Sequence, residues 1–199
     1  MATLIFYDDS HRYTVDGEEV PSVSELTRFI ARELYSETPQ FAMDSAASRG
    51  TAIHKATEAL DKFGTVEIPD DIAEYLKAYV AFVKENKPEW EKIEWSICKD
   101  TLYAGTLDRY GTLNGKRIIL DVKTTGTITP LHRTLYTAQL NLYRMAVESV
   151  APVDALYILQ LKKDGKYKII ELPVEDDLAN ACITLHQATK KRKRRKVND

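Results

Sequence analysis

The sequence predicts an α/β fold in which helices pack on a central mixed β-sheet, preceded by an N-terminal β-hairpin and helices. Three adjacent strand patterns are followed by a long helical pattern and then by two further strand patterns. A meander of strands joined by a crossover helix to the next strand makes a mixed sheet with helices packed on it. The chain has 199 residues, 44% of them apolar, which suits one domain with a sizeable core.

The N-terminal part of the chain is expected to hold a hairpin and three helices. Ser22, followed three residues later by Glu25, has the pattern of a capping box at the start of a helix. In the third helix, apolar residues recur at helical spacing. The predicted elements are strands Leu4–Tyr7 and Arg12–Val15 and helices over residues 22–35, 49–62 and 72–85.

The rest of the chain is expected to hold five strands and two helices. Asn114-Gly115 lies between two strand patterns, and this dipeptide is typical of a tight hairpin turn. Pro152 ends the long helix. We predict strands over residues 93–98, 102–113, 116–123, 155–161 and 167–172, a helix over 131–149 and a last helix from about residue 174 into the basic C-terminus.

Two short segments carry most of the functional information, Gly105-Thr106-Leu107-Asp108 and Asp121-Val122-Lys123. The hairpin between them predicts that Asp108 and Asp121 converge although they are distant in sequence. Strand alternation places the side chains of Asp121 and Lys123 on one face. Two carboxylates and an ammonium group at one point are the groups expected of a divalent-cation site that cleaves phosphodiester bonds.

An Asp-x-Lys tripeptide is by itself a weak signal, since it arises by chance about once per 300 positions. The chain holds a second one, Asp164-Gly165-Lys166, which a hairpin turn explains. Asp121-Val122-Lys123 differs because it follows the apolar run Ile118-Ile119-Leu120, which draws this strand into the core. Charged residues at the end of a buried strand need partners or a metal ion.

Charge is distributed unevenly along the chain. The net charge is −2, but seven Lys and Arg against Asp199 give residues 190–199 a charge of +6, which leaves −8 for residues 1–189. We predict a single domain over residues 1–189 and a flexible basic tail over residues 190–199. The tail is interpreted as an arm that binds polyanions, and the alternative is a solubilising end or an address such as a nuclear signal.

Composition disfavours several classes of protein. No apolar run reaches the length of a membrane span, and residues 1–7 lack the layout of a signal peptide. We therefore expect no membrane partner and a cytoplasmic location. Cys98 and Cys182 are the two cysteines of the sequence, too few for a disulfide framework or a four-cysteine metal site.

Four segments occur in the order of a known family. They are Gly50-Thr51-Ala52-Ile53-His54 with Glu58, Gly105-Thr106-Leu107-Asp108, Asp121-Val122-Lys123-Thr124-Thr125 and Gln139-Leu140-Asn141-Leu142-Tyr143. Over residues 49–161 the chain resembles the PD-(D/E)XK nuclease superfamily, in particular its RecB-type exonuclease branch. Residues 13–17 and 20–24 are similar to the opening of small phage-encoded members. Relatives with an iron–sulfur cluster carry four cysteines, so no such cluster is expected.

The resemblance implies a restriction-endonuclease-like core and a DNA nuclease that uses one or two Mg²⁺ or Mn²⁺ ions. The expected activity is that of an exonuclease in DNA recombination, repair or phage DNA processing, in the cytoplasm of a bacterium or of a phage-infected host. Expected partners are DNA and a single-strand annealing or other recombination protein. The alternatives are an endonuclease with the same chemistry and a nuclease-fold module that binds DNA ends without cutting them.

The catalytic residues and carboxylate ligands are expected on the two central strands. Asp108 would bridge two metal positions if both are occupied, and Asp121 is the second carboxylate ligand. By resemblance, the Val122 carbonyl contributes a further ligand oxygen. Lys123 would orient or deprotonate the attacking water, or offset negative charge in the transition state.

Two predicted helices would contribute further site residues. His54 would complete the metal site, and the alternative is an ordinary half-buried histidine. Glu58 lies one turn later on the same face and would hold His54 or bind an outer water. Gln139 and Tyr143 also share a helix face, where Gln139 would bind a phosphate or hold Lys123 and Tyr143 would stack on a base or bind a phosphate. The alternative for this pair is an ordinary helix contact.

Four more residues are candidates for binding the substrate. Thr124 and Thr125 follow the active strand and would donate hydroxyl groups to DNA, or else cap the strand. Arg28 and Arg32 lie one turn apart on the first helix and are candidates for a pocket that holds a terminal phosphate. The alternative for both arginines is a solvated helix face.

Overall fold

A computed structural model of the chain describes the backbone of residues 3–197 and the side chains of residues 3–190. Its elements are, in chain order, β1 (Leu4–Tyr7), β2 (Arg12–Val15), β3 (Glu18–Val20), α1 (Val23–Leu26), α2 (Arg28–Leu34), α3 (Gln40–Phe63), a 3-10 turn (Asp70–Ile72), α4 (Ala73–Asn86), β4 (Glu89–Lys99), β5 (Tyr103–Leu113), β6 (Lys116–Lys123), α5 (Pro130–Val147), β7 (Ala155–Leu161), β8 (Tyr167–Leu172) and α6 (Asp176–Val197).

The central sheet has five strands in the order β4-β5-β6-β7-β8. β6 and β7 run parallel, with Ile118 opposite Ala155 and Lys123 opposite Gln160, whereas the other neighbours are antiparallel. The crossover helix α5 allows this parallel pair. β1, β2 and β3 form a separate antiparallel sheet. The predicted fold class, a mixed sheet flanked by helices with an N-terminal hairpin, is confirmed.

Helices cover both faces of the central sheet. α1, α5 and α6 pack on one face, where Ile119 is buried. α3 and α4 pack on the other face, where Leu120 and Val122 are buried. Side chains alternate between the faces along β6, so Asp121 and Lys123 point to the face that α5 covers.

The first predicted helix is interrupted. The capping box between Ser22 and Glu25 is present, with both reciprocal hydrogen bonds. The helix then breaks at Thr27, whose hydroxyl donates to the Val23 carbonyl at 3.1 Å and whose backbone leaves the helical region. This local hydrogen bond competes with a continuous helix, so residues 22–35 form the two short helices α1 and α2.

Two other boundaries differ from those predicted. α3 begins at Gln40 rather than near residue 49, after Pro39 in an extended conformation. Most residues between 40 and 48 are exposed, so this first part of the helix carries no apolar stripe for sequence analysis to detect. β4 begins at Glu89 rather than at residue 93, and its exposed first residues likewise lack strand alternation.

The last helix, α6, continues to Val197 and therefore includes most of the segment predicted as a tail. The flexibility of residues 190–199 stays a prediction, and the side chains of 191–197 and all of residues 198–199 lie outside the described part of the chain. Among the helices that are described, none has both the length and the apolar character that crossing a bilayer requires.

Candidate active site

The hairpin of β5 and β6 brings Asp108 and Asp121 to one end of the strand ladder. The backbone pairing of the two strands ends at the pair Arg109/Leu120. One residue further along, Asp108 Oδ2 accepts a hydrogen bond from the Val122 N–H at 2.7 Å. A side-chain carboxylate therefore replaces a strand carbonyl as acceptor. This contact ties Asp108 to β6 and fixes the orientation of its carboxylate.

His54 reaches the same carboxylate from α3. Its Nδ1 lies 3.3 Å from Asp108 Oδ2, and its side chain keeps 29% exposure. Gly50, at the start of the same sequence motif, has open space where a Cβ would stand. The structure thus brings together three of the predicted site residues, His54, Asp108 and Asp121, from one helix and two strands.

Glu94 belongs to the same side-chain cluster, although the sequence analysis did not predict it. Ligand atoms of His54, Glu94 and Asp108 all lie within 4.8 Å of one another. The neighbours of Glu94 on β4 pair with Arg109 and Leu107, which places it across from Asp108. The position of Glu94 depends on the register of β4 with β5, which a bulge between residues 90 and 92 interrupts. The one signal in the sequence that could have pointed to Glu94 is its position between two apolar residues of the strand, Ile93 and Trp95.

Asp121 and Lys123 form a close ion pair at the end of β6. Lys123 Nζ lies 2.6 Å from Asp121 Oδ2, and 5.1 Å from the centre of the Tyr136 ring. Asp121 Oδ2 is buried and accepts no hydrogen bond from any other described group. Asp121 stands outside the group of three ligand residues and contacts the ammonium instead.

Charges and burial shift the pKa values of this cluster. The Asp108 charge raises the pKa of His54 to about 9. Burial alone would raise the pKa of Asp108, but His54 and Lys123 hold it down at about 2. Burial and the Asp108 charge raise the pKa of Glu94 to about 7, and burial raises that of Asp121 to about 6. Burial lowers the pKa of Lys123, but the two aspartates outweigh it and the net shift is upward.

The donor set fits a hard divalent cation. Carboxylate oxygens of Glu94 and Asp108 suit Mg²⁺ or Mn²⁺, and the single imidazole of His54 is compatible with Mn²⁺. Asp121 Oδ2 is buried at 2.6 Å from the Lys123 ammonium, which supplies its counter-charge. Val122 is fully buried, and the role of its carbonyl as a ligand stays a prediction.

A cleft of about 590 Å³ opens beside the cluster. His54 and Lys123 line it, together with residues of α1, α2, α5 and the loop after β6. Arg49 lies on its α3 wall, and the Nε of this guanidinium is buried without a hydrogen-bond partner among the described residues. Arg49 directly precedes the first motif, and nothing in the sequence pattern singled it out. Two permanent cations thus face the space in which an anionic substrate would lie.

Three of the predicted substrate residues line this cleft, namely Thr124, Thr125 and Gln139. The Thr125 hydroxyl lies 3.1 Å from the Tyr136 hydroxyl. Tyr143 is buried instead, and its hydroxyl donates to the Thr106 carbonyl at 2.8 Å. The tyrosine ring therefore packs under β5, and its role in substrate binding stays a prediction.

The other predicted substrate residues lie outside the cleft. Glu58 pairs with Lys62 at 2.6 Å, and its charge contributes to the raised pKa of Glu94. Arg28 and Arg32 line a second cleft, and Arg28 Nη2 lies 3.3 Å from Glu25 Oε1. The structure therefore does not bring these two arginines together with the two aspartates.

A buried ion-pair network centred on Arg109 contacts the backbone of the site. The Arg109 guanidinium is fully buried, and its Nε donates to Asp61 Oδ2 at 2.6 Å. Its Nη2 donates to Thr57 Oγ1 at 3.3 Å and its Nη1 to the Asp108 carbonyl at 2.8 Å. The Tyr79 hydroxyl also donates to Asp61 Oδ2, at 2.5 Å. The network therefore connects α3, the helix of His54, with the backbone of Asp108, whose carboxylate His54 contacts.

Neither a family model nor a curated protein matches this chain. Among solved structures it is similar to a phage-related exonuclease from Haemophilus somnus 129PT, with 10% identity, a TM-score of 0.49 and coverage of 89% of this chain and 96% of that one. It is also similar to the alkaline exonuclease LHK-Exo from Laribacter hongkongensis, with 14% identity, a TM-score of 0.41 and coverage of 88% of this chain and 90% of that one. A third similar structure is SSO0001, with 18% identity, a TM-score of 0.44 and coverage of 86% of this chain and 75% of that one. Because these identities are low, the function proposed below is based on the site's own residues.

Proposed function

We propose that this chain is a divalent-metal-dependent deoxyribonuclease of the PD-(D/E)XK superfamily, RecB-type branch, that acts as an exonuclease in DNA recombination, repair or phage DNA processing. The observation that carries the proposal is the convergence of Asp108, Asp121, Lys123 and His54 beside one cleft, from elements as far apart in sequence as α3 and β6. The order of the four sequence motifs supports the same assignment.

The chain's own residues have distinct tasks in this proposal. His54, Glu94 and Asp108 would hold Mg²⁺ or Mn²⁺, with the Asp121–Lys123 ion pair beside them. When bound, the cation would polarise the phosphate and lower the pKa of a water molecule. The Val122 N–H holds the Asp108 carboxylate in position for this task.

Lys123 would act on the phosphate or on the attacking water. Asp121 holds its ammonium group at 2.6 Å at the end of the strand, and the side chain lines the cleft. An ammonium group in this position can donate a hydrogen bond to the water or stabilise negative charge on the phosphate. On the α3 wall of the cleft, Arg49 would offer a second cation to the substrate backbone.

The direct test uses end-labelled linear DNA and covalently closed circular DNA, each with Mg²⁺ or Mn²⁺. We expect mononucleotides from the linear DNA, an intact circle, and no reaction in the presence of a chelator. Asp121→Asn should lower the rate by about 100-fold or more, because it removes charge from the reacting centre. Asp164→Asn is a matched control, since it alters an exposed Asp-x-Lys tripeptide on the β7–β8 turn and should leave the rate unchanged.

Each outcome separates one alternative. Cutting of the closed circle would identify an endonuclease. Failure to bind Mn²⁺ and to cut either DNA would favour a module that binds DNA ends without cutting. Wild-type activity in a correctly folded Asp121→Asn protein would contradict the assignment of the site.

A further inference from the structure

The second cleft shares a wall with the cleft of about 590 Å³ that His54, Arg49 and Lys123 line, which we call the catalytic cleft. The second cleft has a volume of about 350 Å³, and we call it the basic cleft; its lining residues are Glu19, Val20, Pro21, Glu25, Arg28, Phe29, Arg32, His186, Thr189 and Lys190. The wall consists of α1 and α2. Thr27 and Ala31 face the catalytic cleft, whereas Arg28 and Arg32 face the basic cleft. Residues four apart lie on the same side of a helix, whereas the next residue along points in a different direction. The two pairs therefore lie on different sides of the wall. A helix with its side chains is about 10 Å thick.

The lining of the basic cleft carries three permanently cationic side chains and two carboxylates. Arg28, Arg32 and Lys190 are cationic, and His186 stands beside them. Both carboxylates of the lining are already engaged. Glu25 contacts Arg28 through one oxygen and accepts the Ser22 N–H through the other at 2.9 Å, and Glu19 pairs with Arg12 outside the cleft. Within the described side chains, Arg32 has no ion-pair partner.

The chain continues the positive charge beyond the cleft. α6 supplies His186, Thr189 and Lys190 to the lining and extends to Val197, and every residue from 191 to 196 is Lys or Arg. Residues 1–189 carry a net charge of −8, so cationic groups are concentrated here against an acidic background. A Lys and Arg run that follows a cleft-lining residue directly in the sequence matches a ligand with repeating negative charge better than a single small anion.

We propose that the basic cleft binds the phosphate backbone of the same DNA molecule that enters the catalytic cleft, on the other side of the α1–α2 wall. This inference extends the proposed nuclease function and rests on it for the identity of the ligand. Phosphates along one DNA strand are about 3.4 Å apart along the helix axis, so a wall about 10 Å thick corresponds to roughly three phosphates. The backbone contacted here therefore lies a few nucleotides away from the bond that is cut.

The test compares two variants with equal loss of charge. The first is Arg28→Gln/Arg32→Gln/Lys190→Gln. The control is Lys84→Gln/Lys163→Gln/Lys168→Gln, which changes three exposed lysines on α4 and the β7–β8 hairpin. DNA binding is measured by fluorescence anisotropy in a chelator at several salt concentrations. Each lost phosphate contact should reduce the slope of log K against log [salt] by about 0.9, so we expect a reduction of about two to three in the first variant and the wild-type slope in the control.

A length series of oligonucleotides supplies the second readout. Wild-type protein should gain affinity once the DNA extends about three phosphates beyond the catalytic cleft, and the triple variant should lack this gain. Arg32→Gln alone, which breaks no ion pair among the described residues, should reduce the salt slope by about one and serves if the triple variant does not fold.

The results separate this inference from the proposed function. If the protein cuts DNA and the Arg28/Arg32/Lys190 variant keeps the wild-type salt slope and length dependence, the basic cleft does not bind the backbone and the nuclease assignment stands. If the slope falls as expected but no metal supports cutting, the basic cleft binds DNA and the nuclease assignment is wrong. Equal losses in the variant and its control would show a non-specific effect of charge and would overturn the inference.

Discussion

At the scale of single residues, the Asp61–Arg109 pair is expected to matter most for stability. Asp61→Asn would leave the buried Arg109 guanidinium with Glu94, whose Oε1 lies 3.4 Å from Nη1, as its remaining carboxylate partner, which costs about 3 kcal/mol. We expect a loss of this size in urea denaturation. Glu91→Gln removes the partner of Arg117 on the surface and should cost less than about 1 kcal/mol. Similar losses in the two variants would mean that the buried pair is not what holds α3 against β5.

The raised pKa values at the site predict a dependence of stability on pH in metal-free protein. The pKa values of His54, Glu94 and Asp121 rise from 6.5, 4.5 and 3.8 to about 9, 7 and 6. Groups with a higher pKa in the folded state bind more protons there, so their stabilising contribution is lost as the pH rises through the folded value. The lowered pKa of Asp108, about 2, acts only in acid.

The chelated protein should therefore lose stability between about pH 5 and pH 9. Mn²⁺ should raise Tm more at about pH 8 than at about pH 6, because fewer protons then compete with it for Glu94 and His54. Thermal melts with Mn²⁺ and with chelator measure both effects. His54→Gln should lack the part of the loss that occurs above about pH 7. A Tm of the chelated protein that does not change with pH would contradict the charge balance described for the site.

At the scale of elements, the two strands that carry the aspartates were the most predictable part. Asn114-Gly115 fixed the turn, and the turn fixed the register that places Asp108 near Asp121. Glu94 could not be placed in this way, because a bulge interrupts the register of β4 with β5. The burial of Arg109 could not be predicted from the sequence either, because it depends on Asp61, which lies 48 residues away on a helix.

Two glycines of the sequence motifs illustrate different constraints on their elements. A Cβ at Gly105 would come within 2.8 Å of Tyr143 Cε1, so Gly105→Ala should push the ring away and cost about 1–3 kcal/mol. A Cβ at Gly50 would meet no atom within 4 Å, and in the interior of α3 Gly50→Ala should stabilise the protein by about 1 kcal/mol. Denaturation of both variants tests the contrast, and a shift of both in the same direction would contradict it.

At the scale of the whole molecule, the site occupies the place where β6 leaves the sheet. β6 and β7 run parallel, and the chain turns away after Lys123 toward α5. Open sheets commonly form ligand sites beyond the carboxyl ends of such strands, because the connections diverge there and leave a crevice. The catalytic cleft lies at this end, with Thr124 and Thr125 in the diverging loop.

Charge is the other property that belongs to the whole molecule. Removal of residues 190–199 changes the charge of the chain from −2 to −8 and takes away seven cationic side chains. We expect the shortened protein to bind DNA more weakly and with a smaller salt slope than the full chain. Anisotropy titrations at several salt concentrations measure both. An unchanged slope would mean that this segment does not contact DNA, which would favour its alternative interpretation as a solubilising end or an address signal.

The hydrogen bond from the Val122 amide to Asp108 makes a backbone group into a reporter of events at the side chain. Any cation that draws electron density from this carboxylate weakens it as a hydrogen-bond acceptor. The chemical shift of the Val122 amide proton would change as a result. In a ¹⁵N-labelled sample, the Val122 resonance should shift during a Mg²⁺ titration even though the Val122 side chain is fully buried. Occupancy of the site can then be followed at equilibrium, without DNA and without turnover.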